Sequence, residues 1–113
     1  MNKKLVTLKR NKEFNYVYRK GKSLFTPHLT LIYNMNRYGG LRYGFSVSKK
    51  IGNAVTRNKV RRRLKNINQD LLKDLETEVN ANLLFVAKKD IQNISYEELS
   101  AEVVHLLRKA KIL

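Results

Sequence analysis

The stretch Leu41-Arg42-Tyr43-Gly44-Phe45-Ser46-Val47-Ser48-Lys49-Lys50-Ile51-Gly52-Asn53-Ala54-Val55-Thr56-Arg57-Asn58-Lys59-Val60-Arg61-Arg62-Arg63-Leu64-Lys65 changes its period part-way, and that change sets the fold class. Leu41, Tyr43, Phe45 and Val47 alternate with Arg42, Gly44, Ser46 and Ser48, the mark of a strand with unequal faces. Beyond Gly52, Val60, Leu64, Ile67, Leu71 and Leu75 follow at spacings of 4, 3, 4 and 4. That spacing lays one apolar stripe along a helix predicted over 56–75.

Upstream, Leu29, Leu31 and Tyr33 alternate with His28, Thr30 and Ile32, which predicts a second strand. Tyr38-Gly39-Gly40 has hairpin-turn composition, so the two strands are expected to be antiparallel partners. Nearer the start, Asn11 is expected to cap a short helix ending near Lys20, with Gly21 as its left-handed stop. Phe14, Val17 and Tyr18 share one face of it and Tyr16 lies off that face. Downstream, residues 82–87 hold Leu83-Leu84-Phe85-Val86, an unbroken apolar run typical of a strand covered on both faces. Ser95 and Glu98 form a capping box with Ile94 and Leu99 as its staple, and Leu99, Val103, Leu106, Leu107 and Ala110 give the closing helix its buried face. The order read from pattern is α-β-β-α-β-α, an α+β sandwich with helices on a small sheet.

The 113 residues include no Cys, no Trp and one Pro, and 42% are hydrophobic. That suits one domain over 1–113 with a single core, and it is too apolar for a disordered basic tail. No run approaches the ~20 apolar residues of a membrane span. The opening Met1-Asn2-Lys3-Lys4-Leu5 is charged without an apolar run, so no signal peptide is expected. The lack of cysteine removes disulfides, thiolate metal sites and a Cys nucleophile, and fits a reducing, cytoplasmic setting.

Charge is unevenly spread. Positions 1–69 hold eighteen of the 24 basic residues and a single acid, Glu13, for a net +17; positions 70–113 hold six basic and eight acidic residues, for −2. So much like charge in one folded half calls for a polyanion, nucleic acid before membrane. Arg57, Lys59, Arg61, Arg62, Arg63 and Lys65 crowd the amino end of the long helix, and Asp70, Asp74 and Glu76 the other end. Both placements oppose the helix dipole, so the cations are expected to face an anionic partner. Arginine's planar fork suits phosphate and base stacking. Gly52 is read as either a plain turn or a phosphate-cradling one. Of the aromatics, Phe14 favours core packing, whereas Tyr18 is the better surface candidate for stacking on unpaired bases. Protein-borne catalysis is not expected, because His28 and His105 have no evident acid–base partner and the basic half offers no carboxylate cluster for Mg²⁺.

The series Lys49-Lys50-Ile51-Gly52-Asn53-Ala54-Val55-Thr56-Arg57-Asn58-Lys59-Val60-Arg61-Arg62 closely resembles the protein subunit of bacterial ribonuclease P. That family carries Lys-Lys, Gly, Ala-Val, Arg-Asn and Lys/Arg-Arg at this spacing. Lys65 stands where a further Arg is common, keeping the charge without the fork. The likeness extends over nearly the whole chain, through Phe14, Tyr18, Gly21, Tyr33, the Gly-Phe-Ser-Val-Ser-Lys-Lys strand end and the closing helix. It implies an α-β-β-β-α-β-α sandwich with an unusual left-handed β-α-β crossover and a short extra strand near 23–25. It further implies the protein component of an RNA-based endonuclease that removes the 5′ leader of precursor tRNA, with the RNA subunit performing the hydrolysis. Mg²⁺ is then used by the holoenzyme and none is bound by the protein alone.

The implied contacts to the RNA subunit are Lys49, Lys50, Asn53, Arg57, Asn58, Lys59, Arg61, Arg62 and Lys65, and Phe14, Tyr18 and Tyr33 match the leader-binding cleft. The expected partners are the ribonuclease P RNA and precursor tRNA, with no membrane and no obligate protein partner. The alternative is a ribosomal protein or general RNA chaperone without processing activity, which charge and fold alone would not separate. A DNA-binding regulator is disfavoured, since the arginine helix has no helix-turn-helix companion at short range.

Overall fold

The apolar run Leu83-Leu84-Phe85 needs cover on both faces, and it organises the molecule: all three residues are fully buried. The computed structural model describes residues 4–36 and 39–113. In chain order the elements are β1 (Val6–Thr7), α1 (Asn11–Lys20), β2 (Lys22–Phe25), β3 (Leu29–Met35), β4 (Leu41–Ser46), α2 (Ala54–Lys73), β5 (Ala81–Ala87) and α3 (Tyr96–Lys109). Short 3₁₀ turns at Lys49–Ile51 and Ile91–Asn93 precede α2 and α3. The five strands form one sheet in the order β1-β4-β5-β3-β2. β5 pairs antiparallel with β3, from Leu29↔Ala87 to Met35↔Ala81, and parallel with β4, from Leu41↔Ala81 to Ser46↔Val86.

The expected hairpin between β3 and β4 does not form. The two strands run in opposite directions, but β5 sits between them, because only the central place buries Leu83, Leu84 and Phe85 on both sides. Gly39 and Gly40 do adopt positive φ (83° and 77°), in a wider connection, and Tyr38 lies outside the described residues. β4–α2–β5 is therefore a parallel crossover unit. β2 is the extra strand implied by the resemblance, paired with β3. β1, two residues parallel to β4, has no pattern of its own and was not anticipated.

Two glycines are set by close approach. Gly21 has φ −79°, so it is not a left-handed stop; a Cβ there would lie 2.6 Å from the Val17 carbonyl oxygen and 2.7 Å from Ile32 Cγ2. At Gly44 a Cβ would meet Phe14 Cε1 at 2.8 Å. Nor does Asn11 cap α1. Arg10 holds the cap position without a side-chain bond, and Glu13 reaches back to accept the Lys9 amide at 3.0 Å. The caps of the other helices are conventional: Asn53 accepts the Thr56 amide at 2.9 Å and Ser95 accepts the Glu98 amide at 3.1 Å. α2 begins and ends about two residues earlier than its stripe predicts, and Leu75 is buried just beyond its end.

The helices lie on both faces of the sheet. α2 and α3 bury Val60, Leu64, Ile67, Leu99, Val103, Leu106 and Leu107 against Leu29, Leu31, Tyr43, Leu83 and Phe85. On the other face α1 sets Val17 on a smaller cluster with Leu8, Ile32 and Leu84. Burial pushes the Tyr43 phenol up to about 12.

His28 has a partner after all. Its Nδ1 lies 2.7 Å from Glu102 Oε2, and its amide donates to Glu102 Oε1 at 2.9 Å, tying α3 to the start of β3. Burial raises the Glu102 carboxyl, but hydrogen bonds from Thr26 and from the His28 ring and amide, with the charge of His28, outweigh it and hold the group below its ordinary value. A carboxyl depressed in the folded state adds stability above its unfolded value of about 4.3 and loses it as pH falls through the folded value. Glu102→Gln should therefore cost about 1.5–3 kcal/mol in urea melts at neutral pH. The gap from wild type should close on acidification. A gap independent of pH would show that the carboxylate charge is not involved.

Candidate nucleic-acid interface

The first three turns of α2 carry the cations on a frame fixed from below by Val60 and Leu64. Asn58, Lys59, Arg62 and Lys65 are exposed, as are Lys49 and Lys50 on the preceding turn and Asn53 at the cap. Arg57 and Arg61 are half-buried. The Arg61 guanidinium donates to Asn58 Oδ1 at 2.9 Å and to the Val47 carbonyl at 3.3 Å, so it is held in place between helix and strand end. Arg57 Nε is buried without a partner. Arg63 turns away and donates to the Ile94 carbonyl at 3.4 Å, a structural tie between α2 and the approach to α3. Among the described residues the ion pairs are His28–Glu102, Arg42–Glu13 and Lys73–Asp70, and none involves these α2 cations. Among the described residues the cations at the amino end of α2 thus have no compensating acid.

On the opposite sheet face, register places α1 across the strands, above the row Ser23–Ile32–Leu84–Gly44. Phe14 covers Gly44 at one end and Gly21 abuts Ile32 at the other. Tyr18 leans to one flank, where its hydroxyl donates to Ser46 Oγ at 3.3 Å. The floor on that flank is the next row, Phe25–Thr30–Val86–Ser46. Phe25 is 67% exposed, and Lys88 Nζ stands 5.8 Å from its ring centre while donating to the Thr26 carbonyl. A groove with an exposed ring on each side, a hydroxyl pair and a cation suits an unpaired strand of nucleic acid.

Phe14 and Tyr18 share this α1 face; Tyr33 does not. Tyr33 follows the parity of Leu29 and Leu31, packs partly on the larger core, and opens toward Lys20, Lys22, Lys109 and Lys111. Its neighbour Ile32 occupies the α1 face instead, because successive strand residues point to opposite sides. Phe25 and Lys88 carry no local signal in the sequence, since their place on the α1 face depends on pairings of β2, β3 and β5 that no local pattern records. The two constellations meet at the β4 edge. There a recess of about 470 Å³ is lined by Phe14 and Leu8 from the α1 face and by Phe45, Arg61, Arg62 and Lys65 from the α2 face.

A sequence model of Ribonuclease P matches residues 1–111. The chain belongs to the Ribonuclease P family. It is 37% identical over 108 residues to the ribonuclease P protein component of Finegoldia magna, covering 95% of this chain and 92% of that one. Over 106 residues it is 40% identical to that of Clostridium botulinum, covering 93% and 94%. The fold superposes on the Staphylococcus aureus RNase P protein with a TM-score of 0.85 at 26% identity, covering 96% of this chain and 98% of that one. The Thermotoga maritima RNase P protein gives 0.81 at 20% identity, over 91% and 96%, and extends the likeness of fold. The family resemblance read from the basic series therefore holds, and the chain is a protein component of ribonuclease P, the protein subunit of an endoribonuclease holoenzyme. The alternative of a ribosomal protein or general RNA chaperone finds no support. Among the described residues no helix is long and apolar enough to cross a membrane.

Proposed function

We propose that this chain docks on the ribonuclease P RNA through the exposed face of Lys49, Lys50, Asn58, Lys59, Arg62 and Lys65 with the half-buried Arg57 and Arg61. In the same reading it holds the 5′ leader of precursor tRNA in the groove between Tyr18 and the Phe25–Thr30–Val86–Ser46 row. One observation carries this: Arg61, Arg62 and Lys65 of α2 and Phe14 of α1 line a single recess at the β4 edge, so the RNA subunit and the leader can lie side by side there. Arg61 loses little freedom on binding, because two hydrogen bonds already hold its fork. Asn53 acts on the helix start through Thr56, leaving phosphate contact to the exposed lysines beside it.

Mg²⁺-assisted hydrolysis falls to the RNA subunit in this reading, and the chain's own part is positioning. Among the described residues no three His, Cys, Asp or Glu side chains converge to hold a cation. The same reading sets the chain in the cytoplasm with its precursor tRNA and asks for no obligate protein partner. The test is cleavage of precursor tRNA at low Mg²⁺ by the RNA subunit with and without the chain. Cleavage should depend on both, and the protein alone should cleave nothing. Specific 5′ cleavage by rigorously RNA-free protein, or no gain on adding it to the RNA, would defeat the proposal.

A further inference from the structure

α1 divides its sheet face into two grooves, and the second one is polar and cationic. Opposite the Tyr18 flank lies a groove of about 540 Å³ whose floor is Arg42, Asn82 and Asn36. Arg42 and Ser46 lie four residues apart on β4, so the two floors are separated by about 13 Å. The floor is polar: Asn36 Nδ2 donates to Asn82 Oδ1 at 3.2 Å, and Asn82 Nδ2 donates to Asn34 Oδ1 at 3.1 Å. The rim carries Arg10, Lys12, Arg19 and a Tyr16 ring that is 51% exposed. Glu13 is the one acid in the lining, 3.6 Å from Arg42, so the groove stays strongly cationic. Tyr16 and Arg19 serve no core, and neither has an ion-pair partner among the described residues.

We propose that this second groove binds single-stranded RNA, namely leader nucleotides upstream of those in the first groove. The proposal rests on the leader reading of the Tyr18 flank. Three features favour the leader over the RNA subunit as occupant. Both grooves share the α1 face, while the body of α2 packs on the other face. Only α1 separates them. The exposed Lys20, the last residue of α1, offers a cation to a backbone rounding the end of that helix. Tyr16 supplies a stacking surface and Arg19 a phosphate contact, the combination used for unpaired strands.

The experiment measures holoenzyme affinity for three RNAs: mature tRNA, a precursor whose leader just spans the first groove, and a precursor with a longer leader. Tyr16→Ala with Arg19→Ala should lower long-leader affinity by at least about fivefold and leave the other two unchanged. Arg19→Glu alone should act in the same direction. The salt slope for the long leader should fall by about 0.7 for the lost phosphate contact. Tyr18→Ala should weaken both precursors, which reports on the first groove separately. If Tyr18→Ala has no effect while the Tyr16/Arg19 change selectively weakens the long leader, the first reading fails and this one stands. Equal losses on all three RNAs would assign the groove to the RNA subunit and overturn the proposal. No loss on any RNA would show that these cations face only water, and would also overturn it.

Discussion

Replacing Arg57, Arg61 and Arg62 by Ala should lower affinity for the ribonuclease P RNA by at least about 100-fold, from roughly 1 kcal/mol or more per charge-assisted contact. The slope of log affinity against log salt should become shallower by about two to three, since three phosphate contacts are removed. Folding should survive. Val60, Leu64 and Ile67 keep their burial, and removing positive charge near the amino end of α2 offsets the lost Arg61 bonds to Asn58 and Val47. Filter binding across a salt series, alongside thermal melts, reads both effects. A folded triple variant with unchanged affinity and slope would show that these arginines merely face solvent.

In the leader groove the expected outcome is a change in discrimination. Tyr18→Ala with Phe25→Ala should weaken holoenzyme binding of precursor tRNA by roughly 1–3 kcal/mol for each stacked base, with incomplete additivity. Affinity for mature tRNA, which has no leader, should barely move. Neither ring belongs to a buried core cluster, so the melting temperature should hold. Tyr33→Ala is the internal contrast. It removes a half-buried ring from the larger core, so stability should fall by on the order of 2 kcal/mol while the precursor-to-mature ratio stays at the wild-type value. A wild-type ratio in the folded Tyr18/Phe25 variant would remove these rings from the leader path, and a lowered ratio in Tyr33→Ala would restore that residue to it.

Where pattern and structure parted, the cause was pairing. Alternation along β3 correctly divided Leu29, Leu31 and Tyr33 from Thr30 and Ile32, but it did not say which set lies beneath α1. The resemblance groups Tyr33 with Phe14 and Tyr18, and the structure sets it on the opposite face of the sheet. Gly21 was expected for its backbone freedom, and the structure shows instead a lack of room beside Val17 and Ile32. His28 gained its acid from Glu102, 74 residues away. β1 and β2 are too short to carry a period, and their strand character comes from their neighbours.

The sequence by itself determined the existence of the three helices, the stripe that seats α2, the double-sided burial of β5, the Ser95 cap and the uncompensated cations from Arg57 to Lys65. Each of these depends on spacing within one element or on the chain's own charge, and spacing survives without knowledge of the partner. The basic series was specific enough to point to the family. Only the tertiary structure decided the insertion of β5 between β3 and β4, the side of the sheet each aromatic faces, and the two grooves that α1 creates by crossing it. These are long-range outcomes. They follow from the competition of whole strands for the centre of the sheet, where Leu83, Leu84 and Phe85 of β5 are buried completely on both faces.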